Sequence, residues 1–152
     1  MENIIEAELK RSSEIIAKID PVSIRKAADM ILESVRAGGQ IIFMGNGGSS
    51  ADAQHIAAEF TGKYAFDRPP MAGMSLSNIA PVTAIGNDYT FDDVFKRQVE
   101  AFCRKGDIVV GLSTSGNSKN VVRAMEAAKA RGAKTISFTG DQGIMRGIAD
   151  LA

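Results

Sequence analysis

With 152 residues, 18 Lys+Arg and 18 Asp+Glu, the chain carries no net formal charge, which excludes a general polyanion binder or a membrane-surface binder working through bulk positive field. Hydrophobic residues at 45% and charged residues at 24% exclude wholesale disorder, and the length suits one domain burying roughly two-thirds of its unfolded surface. Cys103 is the sole cysteine, the N-terminus Met-Glu-Asn-Ile-Ile-Glu is acidic without a signal-peptide core, and no apolar run approaches the ~20 residues of a membrane span, so a soluble, cytoplasmic protein is expected.

From Glu2 to Lys18, Ile4, Ile5, Leu9, Ile15 and Ile16 recur at helical spacing. Asp20-Pro21 reads as an N-cap followed by proline at the first helical position, opening a second helix to about Ala37 that buries Ile24, Ala28, Ile31 and Val35 and stops at Gly38-Gly39. The apolar faces of these two helices need a partner, and periodicity suits the body of the domain and a subunit interface equally. Gln40-Ile-Ile-Phe-Met44 is a buried strand running into Gly45-Asn-Gly-Gly-Ser-Ser50, and Ser49 or Ser50 is expected to cap the helix that follows. A loop with Gly62, Asp67, Pro69 and Pro70 leads to a weak strand at Met74-Ser-Leu76. A short helix over Asn78–Ile85 is closed by Gly86, and Asn87-Asp88 reads as the start of the next helix. Thr90 to Cys103 fits one helix, with Phe91, Val94, Phe95, Val99 and Phe102 expected in the core. Ile108–Leu112 is a strand, Ser113-Thr-Ser-Gly-Asn-Ser118 a turn, and Asn120–Ala130 a helix burying Val121, Val122, Met125 and Ala128. Lys134–Phe138 is the last clear strand, followed by the turn Thr139–Gly143.

Strands alternating with helices predict an α/β fold with a parallel sheet covered on both faces. No repeat, low-complexity segment or interdomain linker divides the chain, so a single domain over 1–152 is expected, with helices in 1–37 and the α/β core in 38–152. Ligands of such sheets bind beyond the strand carboxyl ends where strand order reverses, and both polar turns fall at such ends. Ser113–Ser118 sets four hydroxyls before a helix N-terminus, which suits a phosphate without lysine; a simply capped turn uses the same residues. The Gly45–Ser50 turn lacks the third glycine of a dinucleotide fingerprint, and Asp67, at the distance of the expected acidic residue, sits in a proline-rich loop. A polar ligand gripped by Asn46 and the serines fits that turn better than a nucleotide. His55 and Glu59 share one helix face, which suits zinc or proton transfer as well as an ordinary i,i+4 pair. Asp52, three residues before His55, is a candidate to orient its imidazole.

Taken together, Gly45-Asn-Gly-Gly-Ser49, Gln54-His55 with Glu59, Gly86-Asn87-Asp88 and Ser113–Ser118 resemble the phosphoheptose isomerases of the sugar-isomerase (SIS) domain superfamily. The resemblance implies a three-layer, flavodoxin-like parallel sheet with two N-terminal helices, a homotetramer built partly through those helices, and a cytoplasmic step toward nucleotide-activated heptoses for lipopolysaccharide or other surface glycans. It implies conversion of sedoheptulose 7-phosphate to D-glycero-D-manno-heptose 7-phosphate through an enediol. By the same resemblance Ser113, Thr114, Ser115 and Ser118 hold the phosphate, and Asn46, Gly47, Gly48, Asn87 and Asp88 contact the sugar. The resemblance further implies that His55 and Glu59 are ligands of zinc, one ion per subunit in a complete site, and that Glu59 also contacts substrate as the candidate base.

The family pattern continues into a last strand and a long helix bearing a Gln and a His that complete the zinc site, whereas these 152 residues hold His55 as their only histidine. The 152-residue chain is therefore expected to be C-terminally incomplete, with half a zinc site, an underpacked sheet edge, little activity and low stability. Two rivals share the fold: a non-enzymatic regulator using it as a protein-binding platform, and an isomerase for another sugar phosphate.

Overall fold

The computed structural model describes residues 2–152; Met1, part of the expected 1–37 segment, lies outside the described residues. Four strands form one parallel sheet: β1 (Ile41–Gly45), β2 (Gly73–Ser75), β3 (Ile108–Ser113) and β4 (Lys134–Thr139), in the order β2-β1-β3-β4. The helices are α1 (Glu2–Ala17), α2 (Pro21–Arg36), α3 (Gly48–Thr61), α4 (Ile79–Asp88), α5 (Lys96–Phe102), α6 (Lys119–Ala130) and α7 (Ile144–Ile148). The chain builds outward from β1 to β2, then returns to place β3 on the other side of β1. The order therefore reverses between β1 and β3, and a crevice opens at their carboxyl ends.

Every residue of β1 and β3 is buried, as expected for central strands covered on both faces. Side chains alternate with the pleat: Ile41, Phe43, Ile108, Val110 and Leu112 pack under α2 and α3, while Ile42, Met44 and Val109 pack against residues of α5, α6 and α7. Each such fully buried aliphatic or aromatic side chain contributes about 1.5–3 kcal/mol. The far end of the sheet is tied by Asp107, 3% exposed, which accepts hydrogen bonds from the Gln40 and Arg104 backbone N–H groups and from Gln40 Nε2 at 2.8–3.1 Å. Ser34 of α2 donates to the Gly106 carbonyl at 2.7 Å. The outer edge of β4 is partly covered by Asp150 and Leu151, whose backbone N–H groups donate to the Thr135 carbonyl while Leu151 accepts from Ser137.

Several local expectations need correction. Asp20 does cap α2, taking the Val22 and Ser23 N–H groups, but α2 packs through Ala27, Met30, Ile31 and Val35, leaving Ile24 and Ala28 exposed. Residues 3–17 of α1 are all exposed, including Ile4, Ile5, Leu9, Ile15 and Ile16, so α1 does not dock its apolar face on the body of the chain. The cap of α3 is Gly47, not Ser49 or Ser50: the backbone enters the helix through φ 54°, ψ −121°, a region only glycine occupies readily, and both serines already lie in the first turn. α4 does not stop at Gly86 but winds through it to Asp88, so Asn87-Asp88 ends a helix instead of starting one. The segment expected as one helix over 90–103 tightens into a 3₁₀ turn at Phe91–Asp93, where Asp93 accepts the Thr90 hydroxyl and the Arg123 guanidinium, before α5 begins. Of its aromatics only Phe95 is core; Phe91 and Phe102 are about half exposed or more.

At Gly111, in the middle of β3, an added Cβ would lie 2.8 Å from Val121 Cγ1, 2.9 Å from Met125 Sδ and 3.0 Å from Met145 Cε. Gly111→Ala is expected to destabilise the fold by about 1–3 kcal/mol, the range for overpacked cores, read from the urea midpoint; an unshifted midpoint would contradict the packing described. Burial, and after it the Asp107 carboxylate, pushes the fully buried Cys103 thiol up to about 11. Iodoacetamide at neutral pH is therefore expected to alkylate Cys103 only after denaturation, with mass spectrometry of native and urea-treated protein as the check.

Candidate active site

The β1 and β3 carboxyl ends each release a polar turn, and the register Gly45↔Leu112 sets the two side by side. A cleft of about 620 Å³ lies between α3 and the ends of β3 and β4. From α3 it receives Ser49, Asp52, His55 and Glu59, and from the strand ends Ser113, Thr114, Phe138 and Thr139. A smaller hollow of about 240 Å³ adjoins it, walled by Asn46, Ser49, Ser113, Thr114, Ser115 and Ser118. Ser49, Leu112, Ser113 and Thr114 line both, so the two spaces form one crevice with a narrow hydroxyl-lined end and a wider end bearing the imidazole and carboxylate.

The narrow end is built by local backbone bonding. Gly116 N–H donates to the Ser113 carbonyl at 3.0 Å, and Asn117 N–H donates to Ser115 Oγ at 3.3 Å. Behind the turn, Met145 N–H donates to the Gly116 carbonyl and Ile144 N–H to Asn117 Oδ1. Ser118 is the N-cap of α6, yet its hydroxyl pairs with Ser113 Oγ at 2.9 Å instead of capping the helix. The N-cap side chain thus leaves the first turn of α6 uncapped; the Val121 N–H is met by Asn120 Oδ1 at 2.9 Å, and the N–H groups before it, with the positive dipole end, favour an anion. No lysine or arginine lines this hollow, so the attraction for an anion comes from hydroxyls and backbone. Asn46 reaches the same hollow from the β1 turn and exchanges two hydrogen bonds with Asn120 of α6, each 2.9 Å. Gly47 and Gly48 leave open space beside their backbones, with no heavy atom within 4 Å of an added Cβ.

At the wide end His55 Nε2 and Glu59 Oε1 stand 3.4 Å apart on successive turns of α3, the imidazole largely exposed and the carboxylate about one-third exposed. Two ligands of one tetrahedral zinc, each at about 2.0–2.1 Å, are separated by about 3.3–3.4 Å, so the pair fits two corners of such a site. Among the described residues no group of three or more His, Cys, Asp or Glu side chains converges on a metal position. Asp52 lines the same cleft, but the polar partner of His55 is Glu59. The main chain at Glu59 is held from outside the helix, because the Arg68 guanidinium donates to the carbonyls of Glu59 and Phe60.

The crevice thus brings together Asn46, His55, Glu59, Ser113, Thr114, Ser115 and Ser118. Asn87 and Asp88 line neither space; they are exposed at the end of α4 and bonded to each other, Asn87 Nδ2 to Asp88 Oδ1 at 2.9 Å. Sequence reasoning missed Asn120, Arg68, Tyr64 and the cleft residues of β4. The strand-end rule pointed at Phe138 and Thr139, since both end a parallel strand. Nothing local pointed at Asn120, whose partner lies 74 residues away.

Comparison with known proteins agrees with this geometry. The SIS domain profile matches residues 6–140. A phosphoheptose isomerase from Rhodospirillum rubrum is 52% identical over 85% of this chain and 70% of its own. The solved phosphoheptose isomerase of Neisseria gonorrhoeae superposes with a TM-score of 0.88 at 41% identity, covering 97% of this chain and 78% of that one. That of Francisella tularensis gives 0.89 at 30% identity, covering 98% and 78%. With a two-loop crevice at the switch point and these relatives, the chain belongs to the SIS-domain family and, within it, to the phosphoheptose isomerases.

Proposed function

We propose that the chain interconverts sedoheptulose 7-phosphate and D-glycero-D-manno-heptose 7-phosphate, with the phosphate in the Ser113–Ser118 hollow and the sugar carbons beside Glu59. The observation that carries this reading is the continuity of the crevice: a hydroxyl-lined, lysine-free hollow opens directly onto the cleft holding the His55–Glu59 pair. A phosphate anchored at one end orients the carbonyl end of an extended sugar toward the other, converting binding energy at a remote group into alignment of the reacting carbons. The isomerase relatives support the enzyme reading over a non-enzymatic scaffold.

In ketose-to-aldose isomerisation a base removes one proton from C1 to give an enediolate, O2 gains a proton as O1 gives one up, and a proton is delivered to C2, so that the carbonyl moves from C2 to C1. The Glu59 carboxylate has the right chemistry for that transfer. Its place on a rigid helix, with the main chain anchored by Arg68, keeps it from following the sugar as the reaction proceeds. Asn46, in the wall of the hollow, offers its amide to sugar hydroxyls; Gly47 and Gly48 line neither space and are proposed sugar contacts, through their backbone, by family resemblance. Asn87 and Asp88 remain proposed sugar contacts by family resemblance alone. His55 and Glu59 would hold zinc, which when bound supplies a Lewis acid for negative charge on the substrate oxygens.

The finer biological setting is likewise proposed: a cytoplasmic homotetramer serving lipopolysaccharide or other surface-glycan synthesis. No helix among the described residues is long and apolar enough to cross a membrane. The apolar face of α1, with Ile4, Ile5, Leu9, Ile15 and Ile16 exposed, supports a role in assembly, because such a face in water favours association.

Glu59→Gln keeps the shape and removes the base, so kcat for sedoheptulose 7-phosphate is expected to fall by about 10²–10⁴-fold with an unchanged circular dichroism spectrum; undiminished turnover would remove Glu59 from the mechanism. Where the zinc site is complete, elemental analysis is expected to find one zinc per chain. His55→Ala should weaken zinc binding by more than about tenfold, the lower limit seen even for outer partners of metal ligands; zinc affinity equal to the wild type in competition with a chelator would exclude His55 as a ligand.

A further inference from the structure

We propose that Asn120 is a positioning residue: by pairing its amide with that of Asn46 it sets the orientation of the sugar-facing turn relative to the phosphate-facing one. The inference rests on the assignment above of Asn46 to sugar and Ser113–Ser118 to phosphate. Asn46 Nδ2 donates to Asn120 Oδ1 and Asn120 Nδ2 donates to Asn46 Oδ1, both at 2.9 Å. The pair joins the turn after β1 to the first turn of α6, bridging 74 residues of sequence. Asn120 is 3% exposed, and its Oδ1 also accepts the Val121 N–H at 2.9 Å. Its amide plane is therefore fixed to the helix before Asn46 is considered.

Asn46 is placed differently. It stands between Gly45 and Gly47, so the chain on either side imposes little on its direction, and it is half-buried in the wall of the phosphate hollow. An amide offers two N–H groups and two acceptor lone pairs. Pairing with Asn120 consumes one of each and fixes the plane in which the remaining donor and acceptor point. Without the pair, the amide could rotate and lose its register with sugar hydroxyls.

The phosphate turn has independent supports: Gly116 N–H on the Ser113 carbonyl, Met145 N–H on the Gly116 carbonyl, Ile144 N–H on Asn117 Oδ1 and the Ser113–Ser118 hydroxyl pair. Loss of Asn120 should therefore affect the sugar end selectively. A residue serving only to hold α6 in place would weaken both ends together.

Calorimetric titration of inorganic phosphate and of sedoheptulose 7-phosphate into the wild type, Asn46→Ala, Asn120→Ala and the double variant separates these cases. Asn120→Ala is expected to weaken the sugar phosphate about tenfold and inorganic phosphate by less than about twofold. The double variant is expected to bind the sugar phosphate no more weakly than Asn46→Ala alone, because the two amides act as one unit. Asn120→Ser stays uncharged and polar but is too short to pair with Asn46, so it should show the same selective loss, and it carries the test if Asn120→Ala does not fold. Equal losses for both ligands, or losses that add in the double variant, would overturn the positioning role. A wild type that binds sedoheptulose 7-phosphate no more tightly than inorganic phosphate would instead overturn the sugar assignment of Asn46, and the inference with it.

Discussion

The parallel ladder between β1 and β3, running in register from Ile41↔Ile108 to Gly45↔Leu112, is the constraint on which the rest of the molecule depends. Both strands are buried along their whole length, so neither can shift by one residue without turning its apolar set onto the wrong face. That register fixes how far each strand projects, and hence where its turn begins. Because strand order reverses at this pair, the helices leaving β1 and β3 lie on opposite faces of the sheet, and the two turns are left facing one another across an open space. Asp107 and Ser34 brace the other end of the same ladder. A site made of two loops distant in sequence thus inherits the rigidity of the sheet core.

The charge balance of the chain has a chemical counterpart in this site. The hollow offers an anion hydroxyls and the N-terminal turn of α6, with no basic side chain in its lining. Such a site holds a phosphate through directed hydrogen bonds rather than by bulk field, which favours a ligand of the right shape over polyanions in general. The carboxylate of Glu59 can then sit in the adjoining cleft without a competing cation beside the phosphate. In the proposed arrangement, anchoring and proton transfer are separated in space but share the wall of Ser49, Leu112, Ser113 and Thr114, so that a sugar phosphate would span both and inorganic phosphate would fill only one.

What could be read from the residues alone follows the range of the interactions. The strands Ile41–Gly45 and Ile108–Ser113 were legible because burial on both faces demands continuous apolar runs, and α2 because Asp20-Pro21 is a local capping signal. The two polar turns were legible as turns at strand carboxyl ends because their chemistry is contained within six residues each. Errors arose where tertiary packing decided. Gly86 can stop a helix, yet α4 continues through it beside Val94. Phe91 and Phe102 have core-like side chains but fall on the outer side of their segment. Periodicity identified the apolar side of α1 without saying what it meets, and the chain's own body leaves it exposed. The Asn46–Asn120 brace was invisible because neither residue carries a local mark of its distant partner.

Family membership and crevice geometry converge on a proton transfer between adjacent carbons of a seven-carbon sugar phosphate. Proton NMR of sedoheptulose 7-phosphate incubated with the protein in deuterium oxide tests this most directly, with pentulose and hexulose phosphates run beside it. The heptulose phosphate is expected to be consumed fastest and the aldose product to carry solvent deuterium at C2, the mark of a base that exchanges its proton during the enediolate lifetime. Turnover of a pentulose or hexulose phosphate in preference to the heptulose would contradict it, as would tight binding of the heptulose phosphate with no aldose formed.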